Sequence, residues 1–158
     1  GQEFGQFIEW DEDKEIDWLL LQYEKHEKLQ KFVRALNKLY LTRKELWNEP
    51  EGWNNFAWAS CDDAGRNAVA FRRIDKAGEL LCFFSFCPNP HPGFCAGVPE
   101  KSRWKLVLSS CEERFSGDGT AVPAALSAAK PPFGDEAASV KIDLPPYCAA
   151  IYKRVYAK

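Results

Sequence analysis

From about Tyr23 the apolar positions fall three and four apart, at Leu29, Phe32, Val33, Leu36 and Leu39/Tyr40, with lysines over much of the other side. That spacing predicts an amphipathic helix running through Leu41, about 28 Å long at roughly 1.5 Å per residue. Thr42 followed three positions later by Glu45 has the form of a capping box and predicts a further helical turn, which Pro50 and Gly52 end. After Gly52 the period changes to two, with turn residues about every ten positions, the pattern of short antiparallel strands. Strands are predicted at Phe56–Ser60, Asn67–Ile74, Leu80–Cys87, Phe94–Val98, Trp104–Ser109, Ser139–Leu144 and Tyr147–Val155. Leu80–Cys87 is apolar almost throughout and reads as a central strand, stopped by Pro88, Pro90 and Pro92 because proline lacks the ladder donor.

Two segments fall outside these periods. Residues 1–21 are irregular, with the acidic run Glu9-Trp-Asp-Glu-Asp13 and the apolar knot Trp18–Leu21. Residues 116–138 are dominated by Ser, Gly, Ala and Pro, and are expected to form a flexible loop. Helix followed by strands predicts an α+β chain: an N-terminal loop and helix over 1–50, then an all-β antiparallel domain of about seven strands over 51–158.

Composition removes several classes of function. Lys and Arg total 21 against 23 Asp and Glu in 158 residues, which gives no electrostatic footprint for nucleic acid or an anionic membrane surface. No apolar run is long enough to span a bilayer and Gly1–Trp10 lacks the layout of a signal peptide, so the cytoplasm is the expected location. Cys61, Cys82, Cys87, Cys95, Cys111 and Cys148 are scattered without a Cys-x-x-Cys and read as free thiols. Neither His26 nor His91 stands in a nucleophile motif or beside metal-ligand spacing, so no catalytic residue, metal or cofactor is predicted. The acidic run reads as a solvated, dipole-favoured helix lead. Aromatics are abundant, and Trp47, Trp53 and Trp58 near the start of the strands suit either core packing or stacking on the apolar face of a sugar.

Larger blocks of sequence carry more. The opening Gly1-Gln-Glu-Phe-Gly-Gln6, then Glu9-Trp10 and Ile16-Asp17-Trp18, resembles the segment after the eighth barrel strand of glycogen (1,4-α-glucan) branching enzymes of the α-amylase superfamily. That family reads Gly-Asn-Glu-Phe-Gly-Gln, Glu-Trp and Leu-Asp-Trp there. Leu29–Tyr40 is similar to its last barrel helix, and Phe56-Ala-Trp58 to its Gly-Phe-Glu-Trp. Asn67–Arg73, Gly97-Val-Pro99 and Leu144-Pro-Pro146 match as well, so the resemblance covers nearly everything except 116–138. The chain departs from it at Phe86-Cys-Pro-Asn-Pro-His91, where the family has Phe-Thr-Pro-Val-Pro-Arg, and at Ser109-Ser-Cys111, where it has Asn-Ser-Asp.

The resemblance implies the carboxy-terminal part of a branching enzyme, with a C-terminal β-sandwich. It implies a retaining transfer through a covalent glycosyl-enzyme, whose nucleophile, acid/base and stabilising carboxylates come from barrel strands upstream of Gly1. This chain is then non-catalytic. Glu3, Phe4, Gln6 and Trp10 match the loop on the barrel's active-site face and are expected to support that site. Trp58 matches an aromatic that meets glucan at the surface, and Trp53 joins it as a substrate-binding candidate. The implied partners are an α-glucan, weakly held, and the catalytic barrel. A free-standing carbohydrate-binding module and a protein-interaction domain are the alternatives. Because the barrel would cover the stripe of the helix, the isolated chain must cover it otherwise, by folding back or by self-association, with self-association favoured.

Overall fold

A computed structural model describes residues 1–48, 54–62 and 64–156. Short 3-10 turns at Gln2–Phe4 and Trp18–Gln22 lead into helix α1, Glu24–Thr42, and the single turn α2, Lys44–Trp47. Strands follow: β1 Phe56–Ser60, β2 Ala68–Asp75, β3 Gly78–Ser85, β4 His91–Val98, β5 Arg103–Ser109, β6 Ala125–Ser127, β7 Ala138–Leu144 and β8 Ala149–Val155. All pairings are antiparallel. They form one six-stranded sheet, in the order β1-β2-β3-β8-β5-β6, and a two-stranded sheet of β4 and β7.

The apolar run of β3 explains the layering. Leu81 and Phe83 point to one side, where with Ala70, Trp104, Ala150 and Tyr152 they meet Phe94, Ala96 and Val98 of β4 and Val140, Ile142 and Leu144 of β7. Leu80 and Cys82 point to the other side, where with Leu108 and Ile151 they meet Phe32, Ala35, Leu36 and Leu39 of α1, Leu46 of α2 and Phe115. The result is helix on sheet on sheet, an antiparallel β-domain with helices, as the sequence patterns predict. Phe32, Leu36 and Leu39 of the α1 stripe thus pack within the chain against the outer face of the large sheet. Each large side chain buried in these interfaces contributes about 1.5–3 kcal/mol.

Three local expectations are corrected. Thr42 does not cap α2: its hydroxyl donates backwards to the carbonyls of Lys38 at 2.7 Å and Leu39 at 3.3 Å, while Glu45 turns inward and is buried. β4 starts at His91 rather than Phe94, because Pro92 sits in a register shift between His91 and Phe94 where no ladder donor is needed. The segment 116–138 carries regular structure. β6 pairs with β5, Ala129 exchanges backbone hydrogen bonds with Ser139, Val122 and Leu126 are buried, and the Tyr152 hydroxyl donates to the Pro123 carbonyl at 2.9 Å. A three-residue strand of Ala-Leu-Ser is too short and too weakly patterned to stand out in the sequence.

An ion network holds the same segment down. The Arg72 guanidinium contacts Glu136 and, at 3.5 Å, Glu79, whose second oxygen takes a hydrogen bond from Arg154 at 3.0 Å. Arg72 and Glu79 are both buried. Arg72→Ala is expected to cost about 3–5 kcal/mol in urea unfolding, because a buried carboxylate loses one of its two cations.

Thiols in the core set an alkaline limit. Burial pushes Cys82 up to about 12, and burial together with a hydrogen bond to the Cys111 thiol pushes Cys148 up to about 12, against an ordinary 9.0. Above pH 9 the unfolded chain releases these protons while the folded chain keeps them. Stability is therefore expected to be untouched by these groups below pH 9 and to fall between about pH 9 and 12, by up to about 1.4 kcal/mol per pH unit and thiol. Urea titrations across that range check it, and Cys82→Ala should make the slope shallower.

Candidate functional site

β1 is an edge strand, and its alternation buries Ala59 while Phe56 and Trp58 face the helix side of the sheet. A register shift between Trp58 and Ser60 bends the strand at this point. Phe56 stacks on Phe71 of β2 at 5.3 Å, and the Trp58 indole stands edge-on to both, 4.9 and 6.2 Å away between centroids. Phe71 stacks in turn on Phe84 of β3 at 5.6 Å, and Phe84 lies parallel to Phe86 at 6.3 Å. Five rings thus run in a row from the sheet edge to the end of β3. Its middle is half-buried, while Trp58 at one end is 56% exposed and Phe86 at the other 60%.

Beside Trp58 opens a groove of about 800 Å³ bounded by β1, β4, β7 and the 131–135 turn. Trp58 and Phe133 provide apolar rings, and Asp62, Arg66, Asp135 and Lys141 provide acceptors and donors of both signs. Aromatic faces with mixed polar groups suit a neutral, hydroxyl-rich ligand, whose ring faces are apolar and whose edges hydrogen-bond. Trp53, the second sequence candidate, lies outside the described residues. Trp47 is partly exposed on α2. Sequence reading singled out Trp58 as a candidate and did not single out Phe71, Phe84, Phe86 or Phe133. Each stands in its own strand or turn, and only strand register lines them up.

The other candidates sit at the opposite end of the chain. The Phe4 ring is wholly buried 5.6 Å from that of Trp18, and the His26 Nδ1–H donates to the Phe4 carbonyl at 2.7 Å. The Gln6 side chain bridges its loop: Oε1 accepts from the Asp17 amide at 2.9 Å and Nε2 donates to the Ile8 carbonyl at 3.1 Å. Glu3 is half-exposed beside the amino group of Gly1. These three share one tight turn docked on α1, whereas Trp10 points away and is 72% exposed. Glu3, Phe4 and Gln6 are therefore brought together, and Trp10, Trp58 and the groove are not part of that cluster. Among the described residues, no group of three or more His, Cys, Asp or Glu is placed to hold a metal ion. Nor, among them, is any helix long and apolar enough to cross a membrane.

Comparison with known proteins places the chain. The description "Alpha amylase, C-terminal all-beta domain" matches residues 58–155. Curated relatives include 1,4-alpha-glucan branching enzymes GlgB from Halothermothrix orenii, 34% identical over 97% of this chain, and Vibrio parahaemolyticus, 32% identical over 97%. The GlgB of Bordetella pertussis is 35% identical over 98%. These matches take up 25%, 20% and 21% of those proteins, so the chain spans a quarter or less of their length. Among solved structures, an inactive double mutant of MutB holding isomaltulose superimposes with a TM-score of 0.50 at 18% identity, over 80% of this chain and 18% of that one. A mutant of the trehalulose synthase MutB with Tris gives the same score over 79%. At that identity the likeness is one of fold.

The docked turn depends on Gly5, which has φ of +74° and whose added Cβ would meet Leu29 Cδ2 at 3.1 Å. Gly5→Ala is expected to destabilise the chain by about 1–2 kcal/mol, read in urea, through left-handed strain and crowding against α1.

Proposed function

The chain belongs to the family of alpha-amylase C-terminal all-beta domains, and from that premise we propose that it serves as the carboxy-terminal portion of a 1,4-α-glucan branching enzyme. Its setting is then glycogen biosynthesis in the cytoplasm, where the parent moves segments of α-1,4-glucan to form α-1,6 branches. The observation that carries this reading is the match to branching enzymes along nearly the whole chain, residues 1–50 included, and not along the β-domain alone. In this reading residues 1–50 supply the last barrel loop and helix, and residues 51–158 the C-terminal domain. The reacting carboxylates belong to the rest of the enzyme, and this part is non-catalytic.

Two surfaces have work in that reading. Phe7, Ile8, Trp10, Trp18 and Leu19 are large apolar side chains, all exposed, on the loop that carries Glu3, Phe4 and Gln6. Packing of this face against the barrel removes it from water, and the clamp made by Gln6 holds the loop in shape for it. On the opposite end, Trp58 offers an indole face at the mouth of a groove lined by both acids and bases. It stacks on a passing α-glucan and tethers the polymer away from the chemistry. One stacking platform gives a dissociation constant on the order of millimolar, about 4 kcal/mol.

Affinity electrophoresis in gels containing glycogen tests the second surface. Retardation of the 158-residue chain is expected, with most of it lost in Trp58→Ala at unchanged circular dichroism, and no branch points formed on amylose by either protein. Equal retardation of the two proteins removes Trp58 from the proposal, and branching by the purified chain removes its non-catalytic role.

A further inference from the structure

On the helix side of the large sheet, far along from Trp58, the β5–β8 pairing sets two like charges face to face. Lys105 lies directly opposite Lys153 in the register. Like charges in that position oppose pairing. Arg43, from the link between α1 and α2, reaches the same place, and these three cations line a cleft of about 480 Å³ together with Val107, Val155 and Tyr156. Among the described residues, none of the three cations forms an ion pair, and the Arg43 Nε is buried without any hydrogen-bond partner. A fourth cation, Arg154, is already held by Glu79.

The carboxylate on this side is Glu45, near Gly78. A Cβ added to Gly78 would lie 2.9 Å from Glu45 Oε1 and 3.9 Å from Lys153 Cε, yet the two side chains form no ion pair. Three unpaired cations against one carboxylate leave the cleft positive. An arrangement that sets lysines opposite each other and buries an unbonded guanidinium nitrogen is costly unless an anion completes it.

We propose that this cleft binds a phosphoryl dianion, carried by a sugar phosphate or as free phosphate. The charge fits: Arg43 offers a planar fork of donors and the two lysines offer point charges, the combination that satisfies three acceptor oxygens. The apolar lining fits a sugar as the carrier, since Val107, Val155 and the Tyr156 ring lie beside the cations. The site is separate from the Trp58 groove and does not depend on the glucan reading.

Thermal unfolding and titration calorimetry of the 158-residue chain test this with glucose 6-phosphate, inorganic phosphate and glucose, each against sodium chloride of equal ionic strength. A saturable rise in Tm with glucose 6-phosphate is expected, with a dissociation constant on the order of millimolar. Affinity should weaken about tenfold in Lys153→Gln and again in Lys105→Gln/Lys153→Gln, from the loss of charge-assisted hydrogen bonds. Lys31→Gln, on the exposed side of α1 where it pairs with Glu27, should bind as the parent does. Free phosphate binding as tightly as the ester supports the site and makes the bare ion its ligand, while tighter binding of the ester supports the sugar on the apolar lining. No saturable response to either, the same response to chloride, or unchanged affinity in the folded lysine variants overturns the proposal.

Discussion

Strand β3 has no polar face. Leu80, Leu81, Cys82 and Phe83 are all buried, and β8 beside it buries Ala150, Ile151 and Tyr152 in succession. Two adjacent strands that are apolar on both sides cannot leave either side in water, so the sheet they centre must be covered twice. The two-stranded sheet of β4 and β7 covers one face and α1 with α2 the other. Most other features follow from that requirement. The helix stripe finds its cover, the edges of the sheet become the places where side chains can face solvent, and loops at those edges become the carriers of chemistry.

The edge positions differ because their neighbours do. At β1 the sheet extends past the helices, so Phe56, Phe71 and Phe84 are only partly covered and hand the row of rings on to exposed Trp58 and Phe86. A ring braced edge-on by two others has little side-chain entropy left to lose when a flat ligand stacks on it. Across the sheet at β5 and β8, the same outer face lies beyond the end of α1, and lysines replace the aromatics. One face of one sheet therefore presents an aromatic end and a basic end with the helix between them.

The polar interactions inside the chain serve position rather than stability alone. Arg72, Glu79, Arg154 and Glu136 join β2, β3, β8 and the 131–137 turn, the turn that also forms one wall of the groove beside Trp58. At His91 the imidazole is buried against Phe94, with its Nε2 unpartnered. Cys111 faces Cys148 inside the core.

How much the sequence determined follows from the range of each signal. The α1 stripe, the alternation of β2, β5 and β7 and the unbroken apolar run of β3 are local, set by which side of an element must leave water, and they were legible residue by residue. The opening motif and Trp58 were legible as resemblance, because blocks of residues around a loop and an edge strand repeat a family pattern. What covers a face is not local. Leu36 reads as needing a partner, but only the tertiary structure shows that partner to be Leu80, Cys82 and Ile151, over a hundred positions distant at the far end. The same holds for the row from Trp58 to Phe86, for Lys105 opposite Lys153, and for β6, which is a strand only because the edge of β5 was free to pair with it. Periodicity tells a side chain which way to face; strand order and register, fixed by the whole core at once, decide what it meets there.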